Sequence, residues 1–246
     1  MSEIDPSGAA VLEAEDITVQ FGGLRALSHA TITAQSGVIT GLIGPNGAGK
    51  TTLFNVITGH QNTVTGAVRL GGRDVTRLGV HRRARKGLSR TFQKLEAFNS
   101  LSARDNVLVA AEMYGAGTGP ARLADDILER VGLADVADVT VGTLPTGTAR
   151  LVELARALAV RPRVLLLDEA SSGLTEEETA AVGDLLIQLV AEDDLAVLLV
   201  EHDMSFVMST CSQIHVLDFG QMIAAGSPDE VQGNETVRAA YLGTGS

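Results

Sequence analysis

Residues 41–52 read GLIGPNGAGKTT, and within them Gly44, Gly49, Lys50 and Thr51 meet the G-x-x-x-x-G-K-[ST] spacing of a phosphate-cradling loop. The apolar run 38–43 (VITGLI) leads in and a helix-like segment 51–58 leads out, the strand–loop–helix setting that this spacing requires. Glycines at 44, 47 and 49 let successive main-chain N–H groups turn inward on a polyanion, and the following helix aims its positive end at it. Lys50 brings a point charge for β- and γ-phosphates and Thr51 a hydroxyl for Mg²⁺; Pro45, Asn46, Ala48 and Thr52 complete the loop. A nucleoside triphosphate site follows from these residue types.

The 246 residues suffice for a substantial core. The expected organisation is a flexible lead over 1–10 and one α/β domain over 11–246, with a helical lobe at about 101–160 inserted in the core. Apolar residues make up 45 %, yet the uninterrupted runs 164–167 and 195–200 are strand-sized, so no membrane span is expected. A formal charge of −11 argues against nucleic acid as a partner, and the basic run 81–86 (HRRARK) reads as a solvated helix face. Cys211 is the only cysteine, which excludes an internal disulfide and fits a reducing compartment. The N-terminus shows no apolar stretch of a secretory signal.

Residues 11–21 alternate as a strand ending on Phe21, an aromatic suited to stacking on a purine or to core packing. Further strand material lies at 31–43 and 67–70; 77–86 reads as a helix stopped by Gly87, and 88–92 as a strand that delivers Gln93. An amide there can reach a metal or a water, or simply face solvent. Helical patterns at 103–113, 122–131 and 149–159 form a block without strands. The run 164–167 (VLLL) reads as a strand buried on both faces, closed by Asp168 and Glu169 where open parallel sheets bind ligands. Asp168 suits a Mg²⁺ contact and Glu169 a general base for water; alternatively the pair opens the helix 175–191. Strand 195–200 brings His202 to the same edge, 214–217 and 222–225 form a hairpin around Asp218-Phe219-Gly220, and 228–242 is helical.

In this order the motifs resemble the nucleotide-binding subunits of ABC transporters over nearly the whole chain, residues 11–243. The wording is closest to the ATPases of branched-chain amino-acid importers, in FGGLRAL, GPNGAGKTTLFNVITG, ARKGLSRTFQ, VEHDM, GSPDEV and AYLG. The resemblance implies a P-loop NTPase of ABC type, with a mixed sheet core, an antiparallel β portion and an inserted helical lobe. It implies that Phe21 stacks on adenine and that residues 44–52 hold the phosphates of ATP. Thr51, Gln93 and Asp168 would serve Mg²⁺ directly or through water, Glu169 would polarise the attacking water, and His202 would touch the γ-phosphate. The partners implied are a second ABC ATPase, the same or related, in a head-to-tail dimer, membrane permeases, and indirectly an external solute-binding protein. The place implied is peripheral, on the cytoplasmic face of the membrane.

The resemblance departs at one motif. Where the family has a Ser-Gly-Gly-Gln-like signature, this chain has Leu144-Pro145-Thr146-Gly147-Thr148. Ala170 stands where the family has Pro, and Thr175 where its D-loop has Asp or Asn. With Ser172, Gly173 and Leu174, these segments would face the partner's nucleotide. Pro145 has neither hydroxyl nor N–H, so two donors are lost at one position. One expectation is asymmetric: the site built on Lys50, Asp168 and Glu169 hydrolyses ATP, and the one that borrows Pro145–Thr148 is slow or merely holds nucleotide; the other is a neutral variation in which the Thr146 and Thr148 hydroxyls and the helix N-terminus still bind phosphate. A regulatory subunit with little hydrolysis, or an importer subunit for urea or short amides, is the alternative.

Overall fold

The structure is a computed structural model that describes residues 10–91, 96–113 and 119–242. Strands β1 (Ala10–Phe21) and β2 (Leu24–Gln35) form a long hairpin, and a tight turn leads to β3 (Ile39–Ile43), whose five residues are all buried. Helix α1 (Lys50–Thr58) follows the glycine loop, and β4 (Thr65–Leu70) and β5 (Arg73–Asp74) return the chain to β1, giving an antiparallel sheet of order β2-β1-β4-β5.

The helix expected at 77–86 shrinks to α2 (Val80–Ala84) because one of its arginines is internal. Arg83 is buried and donates to the carbonyls of Val56 and Ile57 at 2.6 Å each and of Thr76 and Leu78 at 2.8 Å. The guanidinium thus adds to the capping of the end of α1, where Gly59 N–H already donates to Asn55 O and Val56 O. Strand β6 (Leu88–Arg90) is shorter than the expected 88–92, and Phe92 and Gln93 lie outside the described residues.

The lobe contains α3 (Ala103–Met113), α4 (Pro120–Arg130), two 3₁₀ turns and α5 (Thr146–Ala159), without a strand among its described residues. Helix α5 starts three residues before the expected 149, so Thr146, Gly147 and Thr148 form its first turn. Beyond the lobe run β7 (Val164–Asp168), α6 (Glu176–Asp193), β8 (Ala196–Val200), α7 (Met204–Thr210), β9 (Gln213–Asp218), β10 (Gln221–Gly226), α8 (Pro228–Gly233) and α9 (Glu235–Leu242). The second sheet has the order β10-β9-β3-β8-β7-β6, parallel except where β10 pairs β9.

Each central strand buries both faces. Leu165, Leu167, Val197 and Leu199 point into one apolar cluster with the lobe and α6, while Leu166, Leu198 and Leu42 point into a second with α1 and the antiparallel sheet. Continuous apolar runs are what a parallel strand covered on both sides needs. Lobe residues Val107, Ile127, Leu128 and Val152 share the first cluster with the sheet. Among the described residues no helix is long and apolar enough to cross a membrane.

His215 is buried on β9, and burial pulls its pKa down to about 4. An unfolded chain takes this proton first, so the associated stability is intact above about pH 6.5 and drains as pH falls toward 4, by about 3 kcal/mol. Urea unfolding of the wild type and of His215→Leu at pH 7 and pH 4.5 checks this: the variant is expected to lose less stability between the two.

Candidate functional site

Gly44 has φ 151°, and a Cβ placed there would lie 2.0 Å from the Leu217 carbonyl oxygen; at Gly49 (φ 110°) it would lie 2.8 Å from the Ala26 oxygen. The loop is wedged between β9 and β2, and only glycine fits. Gly49 sits at the N-cap of α1 without a side-chain cap, and the helix ladder begins with the Leu53 N–H on Gly49 O. The N–H groups of Lys50, Thr51 and Thr52 precede that bond and form the positive end of the helix. Lys50 is buried and donates to Gly44 O at 2.5 Å and Pro45 O at 3.0 Å. Burial lowers its pKa, and the carboxylates of Glu169 and Asp168 oppose that shift. On the far side, burial pushes the Tyr241 hydroxyl of α9 up to about 12, opposed by its bond with the Gly44 backbone.

Asp168 ends β7 in a buried ion pair with Arg90 of β6, Nη2 to Oδ2 at 2.8 Å. Arg90 also donates to Asn55 Oδ1 of α1 at 2.8 Å and lies over the Phe54 ring, 5.5 Å from its centroid. One guanidinium therefore joins the phosphate-loop helix, β6 and the acid strand. Glu169 takes a left-handed backbone (φ 55°) fixed by its N–H on Val200 O, and its Oε1 accepts from His202 Nε2 at 2.7 Å. Glu201 is buried, with one oxygen accepting from Ser171 N–H at 2.7 Å and the other from His202 N–H at 3.2 Å. Burial raises its pKa. Neither Arg90 nor Glu201 is singled out by motif spacing. The available signal for Arg90 is a cation on a strand that pairs in register with β7.

Asn46, Gly47, Ala48, Gly49, Lys50, Thr51, Thr52, Asp168, Glu169 and His202 line one cleft of about 410 Å³ together with Leu24, Arg25, Ala26, Phe219 and Gly220. The structure thus gathers most of the residues read from the sequence and adds a wall from β2 and the β9–β10 turn. Phe21, expected to stack on the base, does not line the cleft; it is half exposed and pairs across the hairpin with Leu24, which does.

A family model for ABC transporters matches residues 27–172, and one for the branched-chain amino acid ATP-binding cassette transporter matches 221–246. The chain belongs to the ABC transporter ATPases. It is 38 % identical to the high-affinity branched-chain amino acid transport ATP-binding protein BraF of Pseudomonas aeruginosa, over 95 % of this chain and 98 % of the relative. With the same coverage it is 33 % identical to LivG of Escherichia coli, of the same description, and 32 % identical to its lipopolysaccharide export system ATP-binding protein LptB. A crystal structure of the ADP conformation of an ATP-binding cassette of an ABC transporter matches with a TM-score of 0.86 at 28 % identity, over 96 % of this chain and 99 % of that one.

In this ABC ATPase residues 144–148 and 172–175 lie close together, a Cβ on Gly173 coming within 3.6 Å of Thr146 Cγ2. Pro145 is the exposed N-cap of α5 and makes no side-chain cap bond. Leu144 and Leu174 are half-buried against the main apolar cluster, and a Cβ on Gly147 would lie 2.7 Å from Glu178 Oε1 and 3.1 Å from Leu174 Cδ2. The glycine survives where α5 and α6 meet. Thr175 caps α6: its hydroxyl accepts from Glu178 N–H, and the Glu178 carboxylate accepts from Thr175 N–H. Ser172 and Gly173 are exposed beside them, and none of these residues lines the chain's own cleft.

Arg90→Met strands the buried Asp168 carboxylate and is expected to cost about 3 kcal/mol of folding stability. Urea unfolding without nucleotide measures it, and adding Asp168→Asn to Arg90→Met is expected to restore part of the loss.

Proposed function

We propose that the chain binds MgATP in the cleft and serves as the ATP-hydrolysing motor subunit of an importer for branched-chain or related amino acids. The observation that carries this is the bonded Glu169–His202 pair, which lines the same cleft as the Lys50 loop. The loop amides and Lys50 take the phosphate charge, with Lys50 exchanging two carbonyls for phosphate oxygens. Glu169, held by His202, orients the water for in-line attack on the γ-phosphorus, and His202 is positioned to touch the γ-phosphate. Positioning and electrostatics supply most of the rate in such phosphoryl transfers.

The Thr51 hydroxyl and the Asp168 carboxylate form an all-oxygen donor set suited to Mg²⁺, which keeps several waters and binds through few protein ligands plus phosphates. When bound, the ion would neutralise charge on the β- and γ-phosphates. Arg90 holds the Asp168 carboxyl in place for it. Gln93, assigned to the same ion by resemblance, lies outside the described residues.

The amino-acid substrate rests on the printed functions of BraF and LivG and on the match at 221–246. The transport role printed for BraF and LivG supports permease partners and a peripheral position at the membrane; a second ATPase subunit and the cytoplasmic side follow from the importer reading. The external solute-binding protein follows from the importer reading. In a head-to-tail pair, the face of residues 144–148 and 172–174 meets the partner's nucleotide. With Pro145 at that face, the composite site that borrows it is the slow one, because loss of one preorganised donor costs about 10²–10³ in rate.

The test is ATP turnover by the chain alone and mixed with its partner ATPase and permeases, comparing wild type with Glu169→Gln. The variant is expected to bind ATP and to lose about 10²–10⁴ in turnover of the assembly. Intact turnover of the assembled Glu169→Gln transporter would assign the active site to the other composite site.

A further inference from the structure

Strands β9 and β10 are joined by two residues, Phe219 and Gly220, with Gln221 pairing back onto Asp218. Both have positive φ, 43° and 77°. Two left-handed central residues in a two-residue hairpin make a type I′ turn, whose default dipeptides are Asn-Gly and Asp-Gly. Phe has a Cβ that crowds the left-handed backbone and no polar atom to bond locally in return. Burial does not compensate: Phe219 is 89 % exposed, more than any other large apolar residue described.

The tip is nonetheless fixed. Gly220 N–H donates to Ala48 O of the phosphate loop at 2.9 Å, Ser28 N–H donates to Gly220 O at 2.8 Å, and a Cβ on Gly220 would lie 2.6 Å from Ala26 O. The backbone at Phe219 is therefore anchored at the wall of the nucleotide cleft, where Leu24, itself 69 % exposed, lines the same space. The phosphate end of this cleft is furnished by amides and Lys50. Two uncovered apolar side chains at its other wall match the one flat apolar part of ATP.

We infer that Phe219 is a base-contacting residue of the nucleotide site, its ring and Leu24 taking the purine of ATP in addition to any contact from Phe21. This rests on the nucleotide reading of the cleft. The unfavourable residue at the turn is kept for the ligand, since strained non-glycine positions gather at ligand clamps. A ring against a base contributes through stacking, which tolerates many bases because each has a π-face.

Phe219→Asn separates the two roles, because asparagine is the residue that the turn prefers. In the full-length chain, nucleotide-free thermal stability is expected to be unchanged or higher. Affinity for ATP with Mg²⁺ is expected to fall about five- to hundredfold, while affinity for inorganic tripolyphosphate, which has no base, stays the same. Phe219→Tyr, which keeps a ring, is expected to restore ATP affinity. Undiminished ATP affinity in Phe219→Asn overturns the inference, as does an equal loss for ATP and tripolyphosphate, which would place the effect at the phosphate loop. Failure of the wild type to bind either probe would sink the nucleotide reading itself, and this inference with it.

Discussion

The close approach of two carbonyls to the phosphate loop is the constraint on which the nucleotide end of this protein rests. Leu217 O and Ala26 O stand where side chains at Gly44 and Gly49 would have to go, so β9 and β2 press the loop into the shape that turns its amides inward. That shape leaves the first N–H groups of α1 ahead of the helical ladder, and their sum with the helix dipole is an anion site made before any anion arrives. Arg83 closes the other end of the same helix by taking the carbonyls of Val56 and Ile57. The C-terminus of α1 thus combines a local left-handed Gly59 cap with this tertiary contact.

Charge balance within the cleft follows a similar logic. Lys50, Asp168, Arg90 and Glu201 are all largely buried, and each has a partner: carbonyls for Lys50, Arg90 for Asp168, main-chain N–H groups for Glu201. A buried charge without such a partner would cost several kcal/mol. The partners also orient the groups, so the carboxyls of Asp168 and Glu169 are held by Arg90 and His202, an arrangement of the preorganised kind. Glu201 adds a link outward. Its two oxygens join the His202 segment to Ser171, so the end of β8 and the segment between β7 and α6 are tied by one carboxylate.

The departed signature is best understood from its packing. A Cβ on Gly147 would crowd the Glu178 carboxylate and Leu174, and Thr175 caps α6. These residues serve the seam between α5 and α6, whatever they contribute across a dimer. Pro145, exposed and without a cap bond, has no such structural duty, so its consequence falls on whatever approaches the N-terminus of α5.

The spacing of Gly44, Gly49, Lys50 and Thr51, the apolar runs of β7 and β8 and the acids that close β7 were legible in the chain because each is a local pattern with a local physical cause. The order of elements, the strand-free lobe and the cleft edge that holds Glu169 and His202 followed from those patterns. The short α2, the early start of α5, the Arg90–Asp168 pair, the Glu201 link and the wall of Leu24 and Phe219 did not. Arg83, Arg90 and Glu201 are polar residues whose burial depends on elements distant in sequence, and Phe219 is placed on the cleft only when β9 docks beside β3 and β2. Periodicity encodes which face of an element avoids water; which distant group meets a given charge or ring is decided only when the sheets close on α1.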